Sequence, residues 1–322
     1  MPDSIDYSRK PVLILGASGF IGSRVTAALT YSPIYRPVAA SRRSAVSVDA
    51  TDPASILGAL RDADCVINCI AGNDQAMVRA TQVLCDAARS IPPRRIIHLS
   101  SMAVYGAATG TITESHPPVD PVSGYGRAKI ECEDIVGRYV RDGGDAAILR
   151  PTCVFGPGSA QWTTRLARLL QAGRLGDLGA GGDGGCNLAF IDDVVGAIVS
   201  ALDAPEISGR IFNVSSSAEL TWNQFLMAFG TALCATPIRR VPARSMKIET
   251  KIIAPFRRIA AKAIKAPWTE AVTPSLAALF RQDIRIDCGA AQSALWLHQT
   301  PPDQMIAAVL RDDRMKQELA PL

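Results

Sequence analysis

Short β-branched runs alternate with longer stretches of helical period through the first half of the chain. Val12–Leu15, Val38–Ala40, Val66–Ile70, Ile96–Leu99 and Ala147–Leu149 read as strands, and Ile21–Leu29, Ile56–Leu60, Met77–Ala88 and Tyr125–Tyr139 as helices. Val12–Leu15 and Ile96–Leu99 are apolar throughout, which suits strands covered on both faces and not a half-exposed antiparallel sheet. Such alternation builds an α/β fold, a parallel sheet wrapped by helices. After Arg150 the rhythm changes. A turn at Pro151, Gly156, Pro157 and Gly158, a helix near Trp162–Leu170 and a glycine-rich stretch from Gly173 to Gly185 leave the sheet. Phe190–Leu202 and Ile211–Val214 resume the pattern, and the remainder from Ala218 is mainly helical. The expected organisation is a doubly wound parallel sheet of residues 1–155 plus about 187–217, with a smaller, discontinuous, mainly helical C-terminal substrate domain of about 156–186 plus 218–322.

The length of 322 residues allows two domains at the usual ~100–200 residues each. With 48% hydrophobic and 20% charged residues the chain is too apolar for a disordered segment, and it has no long uncharged apolar run. Met1 to Lys10 carries Asp3 and Asp6 and no apolar core of the secretory kind, so a cytoplasmic location is expected. The eight cysteines are scattered without a Cys-x-x-Cys pair, and three histidines are too few to complete a metal set, so neither structural zinc nor a disulfide framework is expected.

The formal charge of +4 is unevenly placed. Arg239, Arg240, Arg244, Lys247, Lys251, Arg257, Arg258, Lys262 and Lys265 stand against Glu249 alone, which leaves the rest of the chain net acidic. Ile248, Ile252, Ile253, Phe256, Ile259 and Ile264 make this stretch an amphipathic helix. Its first reading is a solvated helix packed on its own domain; a substrate lid comes second, and contact of 239–265 with an anionic membrane surface third. Little aromatic interleaving accompanies the cations, so no nucleic-acid partner is expected.

Candidate chemistry starts at Gly16-Ala-Ser-Gly19-Phe-Ile-Gly22, directly between the first apolar run and the first helical one. Gly16 permits the tight turn, Gly19 lets backbone approach a pyrophosphate, and Gly22 allows close helix packing. The helix amino terminus adds free N–H groups and a positive dipole end. An ordinary glycine turn would need neither the strand before it nor the helix after it. This is the signature of a Rossmann-like dinucleotide site.

The second strand ends Val38-Ala-Ala-Ser41-Arg42-Arg43, with no carboxylate to bind the adenine ribose hydroxyls of NAD. Arginine there suits the 2′-phosphate of NADP, so NADP(H) is the expected cofactor, held by Ser41, Arg42 and Arg43, with NAD(H) as the alternative. Tyr125-Gly-Arg-Ala-Lys129 puts a phenol and an ammonium on one helical face. A phenol of pKa ~10 is a poor base near neutrality, and a neighbouring cation favours its ionised form. Ser101, just past the strand Ile96–Leu99, falls where doubly wound sheets bind ligands and can hold a substrate oxygen.

The spacing Gly-x-x-Gly-x-x-Gly, the segment Ser100-Ser101-Met-Ala-Val-Tyr105-Gly106 and the Tyr-x-x-x-Lys pair together resemble the extended short-chain dehydrogenase/reductase family, which includes NAD-dependent epimerases and dehydratases. The resemblance covers about residues 10–235. It implies a catalytic trio of Ser101, Tyr125 and Lys129. It also implies cofactor contacts from Gly16, Ser18, Gly19, Phe20, Ile21, Gly22, Tyr125, Lys129, Asp49 and Ala50 beside the adenine, Ala71 and Gly72 in the segment after Asn68, and Pro151 and Val154 near the nicotinamide. Met102, Cys153, Cys186 and Asn187 are implied on the substrate side, and Asp192 and Asp193 resemble an element whose acids orient loops. Free Cys153 also reads as a buried small hydrophobe.

Two departures narrow the reaction. Met102-Ala103 stands where sugar-nucleotide dehydratases of the family carry an acidic pair, which disfavours water elimination. Cys153 and Cys186 replace an asparagine and an arginine of many nucleotide-sugar members, which weakens the case for a diphosphosugar. The expected function is an NADP(H)-preferring oxidoreductase interconverting a carbonyl and a secondary alcohol of a small molecule. The alternatives are an NAD-dependent nucleotide-sugar epimerase that retains its cofactor, and a non-catalytic dinucleotide sensor. The resemblance further implies a homodimer.

Overall fold

The computed structural model describes residues 9–42, 44, 46–91, 95–119, 123–216, 220–257 and 271–319. Asp3, Asp6, Arg43, Arg258, Ile259, Lys262, Ile264 and Lys265 of the sequence reading lie outside the described residues.

The strands β1 (Lys10–Leu15), β2 (Tyr35–Ser41), β3 (Val46–Ser47), β4 (Cys65–Asn68), β5 (Arg95–Leu99), β7 (Ala146–Pro151) and β10 (Ile211–Val214) form one sheet in the order β10-β7-β5-β4-β1-β2-β3. Every pairing is parallel. The order reverses between β1 and β4, which is the switch point where such sheets bind ligands beyond their carboxyl ends.

Alternate residues of the strands feed two cores. Val12 and Ile14 of β1 pack with Val25 and Leu29 of α1 (Phe20–Thr30) and with Val194 and Ile198 of α6 (Ile191–Asp203). Leu13 and Leu15 face the other way, toward α2 (Pro53–Leu60), α3 (Asp74–Arg89) and α4 (Gly124–Arg141). That two-sided burial is why β1 tolerates no polar residue after Pro11. Local chemistry sets the helix starts: Asp52, Asn73 and Ser123 each accept a backbone N–H of the first turn, and Pro53 opens α2.

The excursion after β7 has its own aromatic packing. Trp222 lies 4.9 Å from Phe280 between ring centroids and stacks on Trp162 at 6.1 Å, and Phe155 meets Phe225 and Phe229 edge-on at 5.4 Å each. Two short parallel pairings went unread in the sequence: β6 (Gly110–Ile112) with Ile284–Ile286, and β8 (Cys153–Phe155) with β9 (Leu188–Phe190). At three residues each they are too short to show a period. The helix expected near Trp162–Leu170 is α5 (Arg165–Gln171), preceded by a π-turn at Ala160–Thr164. Among the described residues no helix is long and apolar enough to cross a membrane.

Candidate active site

The parallel register lines up the carboxyl ends of the central strands, with Leu15 opposite Ala40 and Asn68, and Leu99 opposite Leu149. Gly16, Ser41, Cys69, Ser100 and Ser101 therefore emerge along one edge of the sheet.

Gly16 has φ +80°, and a Cβ there would meet the Cys69 carbonyl oxygen at 2.9 Å. A Cβ on Gly22 would stand 2.3 Å from the Gly16 carbonyl oxygen. These contacts are backbone on backbone, so the turn closes only with glycine. Gly19 caps α1 with no side-chain hydrogen bond, while Ser18 and Gly19 are exposed and Phe20 and Ile21 half-buried at the first turn. The cradle thus offers uncapped N–H groups to an anion, and the residues present fit the pyrophosphate of a dinucleotide. We expect Gly22→Ala to destabilise the fold by about 1–3 kcal/mol and to weaken dinucleotide binding in the same variant, as read by urea unfolding and titration calorimetry.

Around the cradle, Ser41 exchanges a 2.6 Å hydroxyl contact with Ser44, and Arg42 is exposed at the end of β2. Asp49 accepts from the N–H and hydroxyl of Thr51 at 2.9 and 2.7 Å, which holds its carboxyl below the ordinary value, with Arg42 contributing. Ala50 packs at the edge of the core beneath it. Ala71 and Gly72 are exposed beyond β4, Gly72 with φ +120°. Across the sheet, Arg24 donates to the Pro157 carbonyl at 2.7 Å, tying α1 to the loop after β8.

Ser123 caps α4 so that Tyr125 falls in its first turn and Lys129 one turn on. Ser101 lies close enough to Tyr125 for its hydroxyl to pull the phenol down. The Lys129 ammonium, only 2% exposed, donates to the Leu99 carbonyl at 2.5 Å and lies 5.8 Å from the Tyr125 ring centroid. The three residues therefore converge at the end of β5. Burial is the largest influence on both ionisable groups: it pushes the Tyr125 phenol up, against the pull of the nearby Ser101 hydroxyl, and the Lys129 ammonium down.

Glu133, the next residue on the same helical stripe, was not singled out in the sequence. Its carboxylate accepts from Arg150 at 2.9 Å (Nε) and 2.6 Å (Nη2) and from the Ser100 hydroxyl. Arg150, 2% exposed, also donates to Tyr105 Oη at 2.8 Å, and Tyr105 donates to Asn213 Oδ1 at 2.7 Å. This buried chain locks α4 to β5, β7 and β10 directly behind Ser101. The recurrence of spacing four, Tyr125 to Lys129 to Glu133, was the available signal.

Met102 lies buried in the 3₁₀ turn Met102–Tyr105 that Ser101 caps. Pro151 is buried at the end of β7 and Val154 in β8. Cys153 and Cys186 are buried thiols that burial pushes up, Cys153 bonded through its N–H to the Asn187 carbonyl. The Asn187 side chain donates to the carbonyls of Gly185 and Ile284 and accepts from the N–H of Ile286. Asp193 accepts from Thr300 N at 2.7 Å and Oγ1 at 2.8 Å, and Asp192 is exposed beside it.

A doubly wound sheet with a three-glycine cradle at its switch point and Ser, Tyr and Lys meeting at the next strand end defines the extended short-chain dehydrogenase/reductase class. A family model described as the NAD dependent epimerase/dehydratase family matches residues 12–215, and the chain belongs to that family. Protein YeeZ of Escherichia coli (strain K12) is 34% identical over 176 residues, covering 52% of this chain and 59% of that protein. The UDP-glucose 4-epimerase of Mycolicibacterium smegmatis is 31% identical over 166 residues, covering 49% and 52%. The chain thus spans little more than half the length of these curated relatives. A crystal structure of the UDP-glucuronic acid 4-epimerase from Bacillus cereus in complex with NAD superposes with a TM-score of 0.71 at 20% identity, over 95% of this chain and 99% of that one, a likeness of fold.

Proposed function

We propose that this chain is an enzyme that moves hydride between a nicotinamide dinucleotide and a secondary carbinol carbon of a small molecule, with NADP(H) preferred. The convergence of Ser101, Tyr125 and Lys129 beside the glycine cradle carries this reading. When bound, the dinucleotide supplies the hydride donor or acceptor at its nicotinamide ring. Residues 16–22 would hold its pyrophosphate, Ser41 and Arg42 its adenine ribose phosphate, Asp49 and Ala50 its adenine, and Ala71, Gly72, Pro151 and Val154 its nicotinamide half.

Ser101 positions the substrate oxygen, Tyr125 moves the proton at that oxygen, and Lys129 would hold the nicotinamide ribose from the buried end of α4. With its phenol pushed up by burial, Tyr125 is protonated at neutral pH, the form that donates to a carbonyl oxygen. Reductive turnover should therefore stay level from neutral pH to the ordinary phenol range of ~10 and fall above it, while oxidative turnover climbs with pH throughout. Rate profiles in both directions check this. A reductive rate already falling near neutrality would remove Tyr125 as the donor.

Residues 156–186 and 218–322 would form the substrate domain over this edge, with Met102, Cys153, Cys186 and Asn187 at its inner side. The proposal takes the chain to work in the cytoplasm as a homodimer. The 4-epimerase activities of the Mycolicibacterium and Bacillus proteins favour a second reading, nucleotide-sugar epimerisation with NAD retained between two opposite hydride steps.

Nucleotide release separates the two. Protein purified without added nucleotide, then denatured and chromatographed, should yield no stoichiometric dinucleotide and should bind NADPH more tightly than NADH. Arg42→Glu should reverse that preference. Stoichiometric NAD in the released fraction establishes the epimerase reading instead.

A further inference from the structure

The basic segment presents an arrangement that a helix merely packed on its own domain does not need. The helix Ala243–Ile248 continues through a π-turn at Glu249–Ile253 and helical residues 254–257. Its inner face is fixed: Glu249 pairs with Arg174 and accepts from the N–H of Val272, and Thr250 and Ala254 are buried. Glu249 is the one acid between Arg239 and Lys265, and it is turned inward. The outer face carries Ile248, Ile252 and Phe256, which are 50%, 63% and 71% exposed, at successive spacings of four. The exposed cations Arg244, Lys247 and Lys251 stand among them.

A lid over the sheet edge would turn its large apolar side chains toward the body, whereas the ion pair with Arg174 holds these three away from it. A water-facing helix would gain nothing from exposing two isoleucines and a phenylalanine in one stripe. Apolar side chains flanked by cations, with the only acid withdrawn, complement an anionic bilayer: the apolar groups enter the boundary of headgroups and acyl chains, and the ammonium and guanidinium groups reach the phosphates. We propose that the outer face of residues 243–257 docks the protein on an anionic phospholipid surface. The docking stands apart from the catalytic reading, because no residue of the cradle or of the Ser–Tyr–Lys trio takes part in it.

Co-sedimentation with phosphatidylcholine vesicles, with and without phosphatidylglycerol, tests the proposal. The full chain should sediment with the anionic vesicles only, and salt should release it. Replacing both lysines, as Lys247→Gln with Lys251→Gln, should weaken binding about 30-fold, at roughly fivefold per cation. The triple variant Ile248→Ser, Ile252→Ser, Phe256→Ser should abolish it with an unchanged melting temperature, since all three side chains lie outside the core. Tyr125→Phe should dock like the parent, so a failure of the catalytic reading leaves this result untouched. Equal sedimentation of the triple variant and the parent would overturn the proposal. So would a shift of the parent's sedimentation coefficient to that of a smaller species in the triple variant, which would assign the face to a second copy of the chain.

Discussion

Replacement of Tyr125 by phenylalanine should lower turnover by about 10²–10⁴-fold, the range that a positioned proton donor contributes. Dinucleotide affinity should stay within a few-fold of the parent. The reason is local. Ser101 faces the phenol from the end of β5, and the Lys129 ammonium is fixed on the Leu99 carbonyl one helical turn away. Removing the hydroxyl therefore deletes a proton donor without moving the groups that frame it. Stopped-flow measurement of nicotinamide absorbance, together with fluorescence titration of NADPH, separates the two quantities. Lost affinity with retained turnover would make Tyr125 a cofactor-binding residue and nothing more.

A second large effect is expected away from the reacting atoms. Glu133→Leu should destabilise the fold by about 3–5 kcal/mol, because it strands the Arg150 guanidinium in the interior with only Tyr105 for a partner. Adding Arg150→Met to that variant should recover most of the loss, since the double replacement leaves no unpaired charge where the ion pair stood. Urea unfolding of the parent, the single and the double variant makes the comparison. A single variant as stable as the parent would show that the buried pair does not hold α4 to the sheet.

The two predictions divide what was legible in the sequence from what was not. The cradle was legible because Gly16, Gly19 and Gly22 are demanded by backbone contacts that any residue with a Cβ would break, and such demands leave a spaced signature. Tyr125 and Lys129 were legible because four residues make one turn of a helix. Glu133 obeys the same spacing, yet a carboxylate four residues after a lysine looks like a surface pair. Its partner Arg150 comes from a strand 17 residues on, and only the packing of α4 against β7 brings them together. The balance of influences on Tyr125 was also hidden. Sequence adjacency pointed to Lys129 pulling the phenol down, whereas depth in the protein governs it, and depth is a property of the whole assembly. The pairing of β8 with β9 escaped for a similar reason, since three-residue strands carry no period of their own.

The contact between Asp193 and Thr300 bears on the order in which the protein can be completed. The two residues are 107 positions apart, and further ties of at least a hundred positions run from Arg165 to the Ala271 carbonyl and from Gln171 to the Leu319 carbonyl. At ribosomal speeds of about 5–20 residues per second, roughly 5–20 s separate synthesis of the α6 carboxylate from synthesis of the group that neutralises its hydrogen-bonding need. Once Val214 has been added, the nascent chain holds all seven sheet strands while Asp193 still awaits the donors of Thr300. The segment around Thr300 thus acts as a clasp on α6, and a chain that stops before it leaves the Asp193 carboxylate without the Thr300 donors.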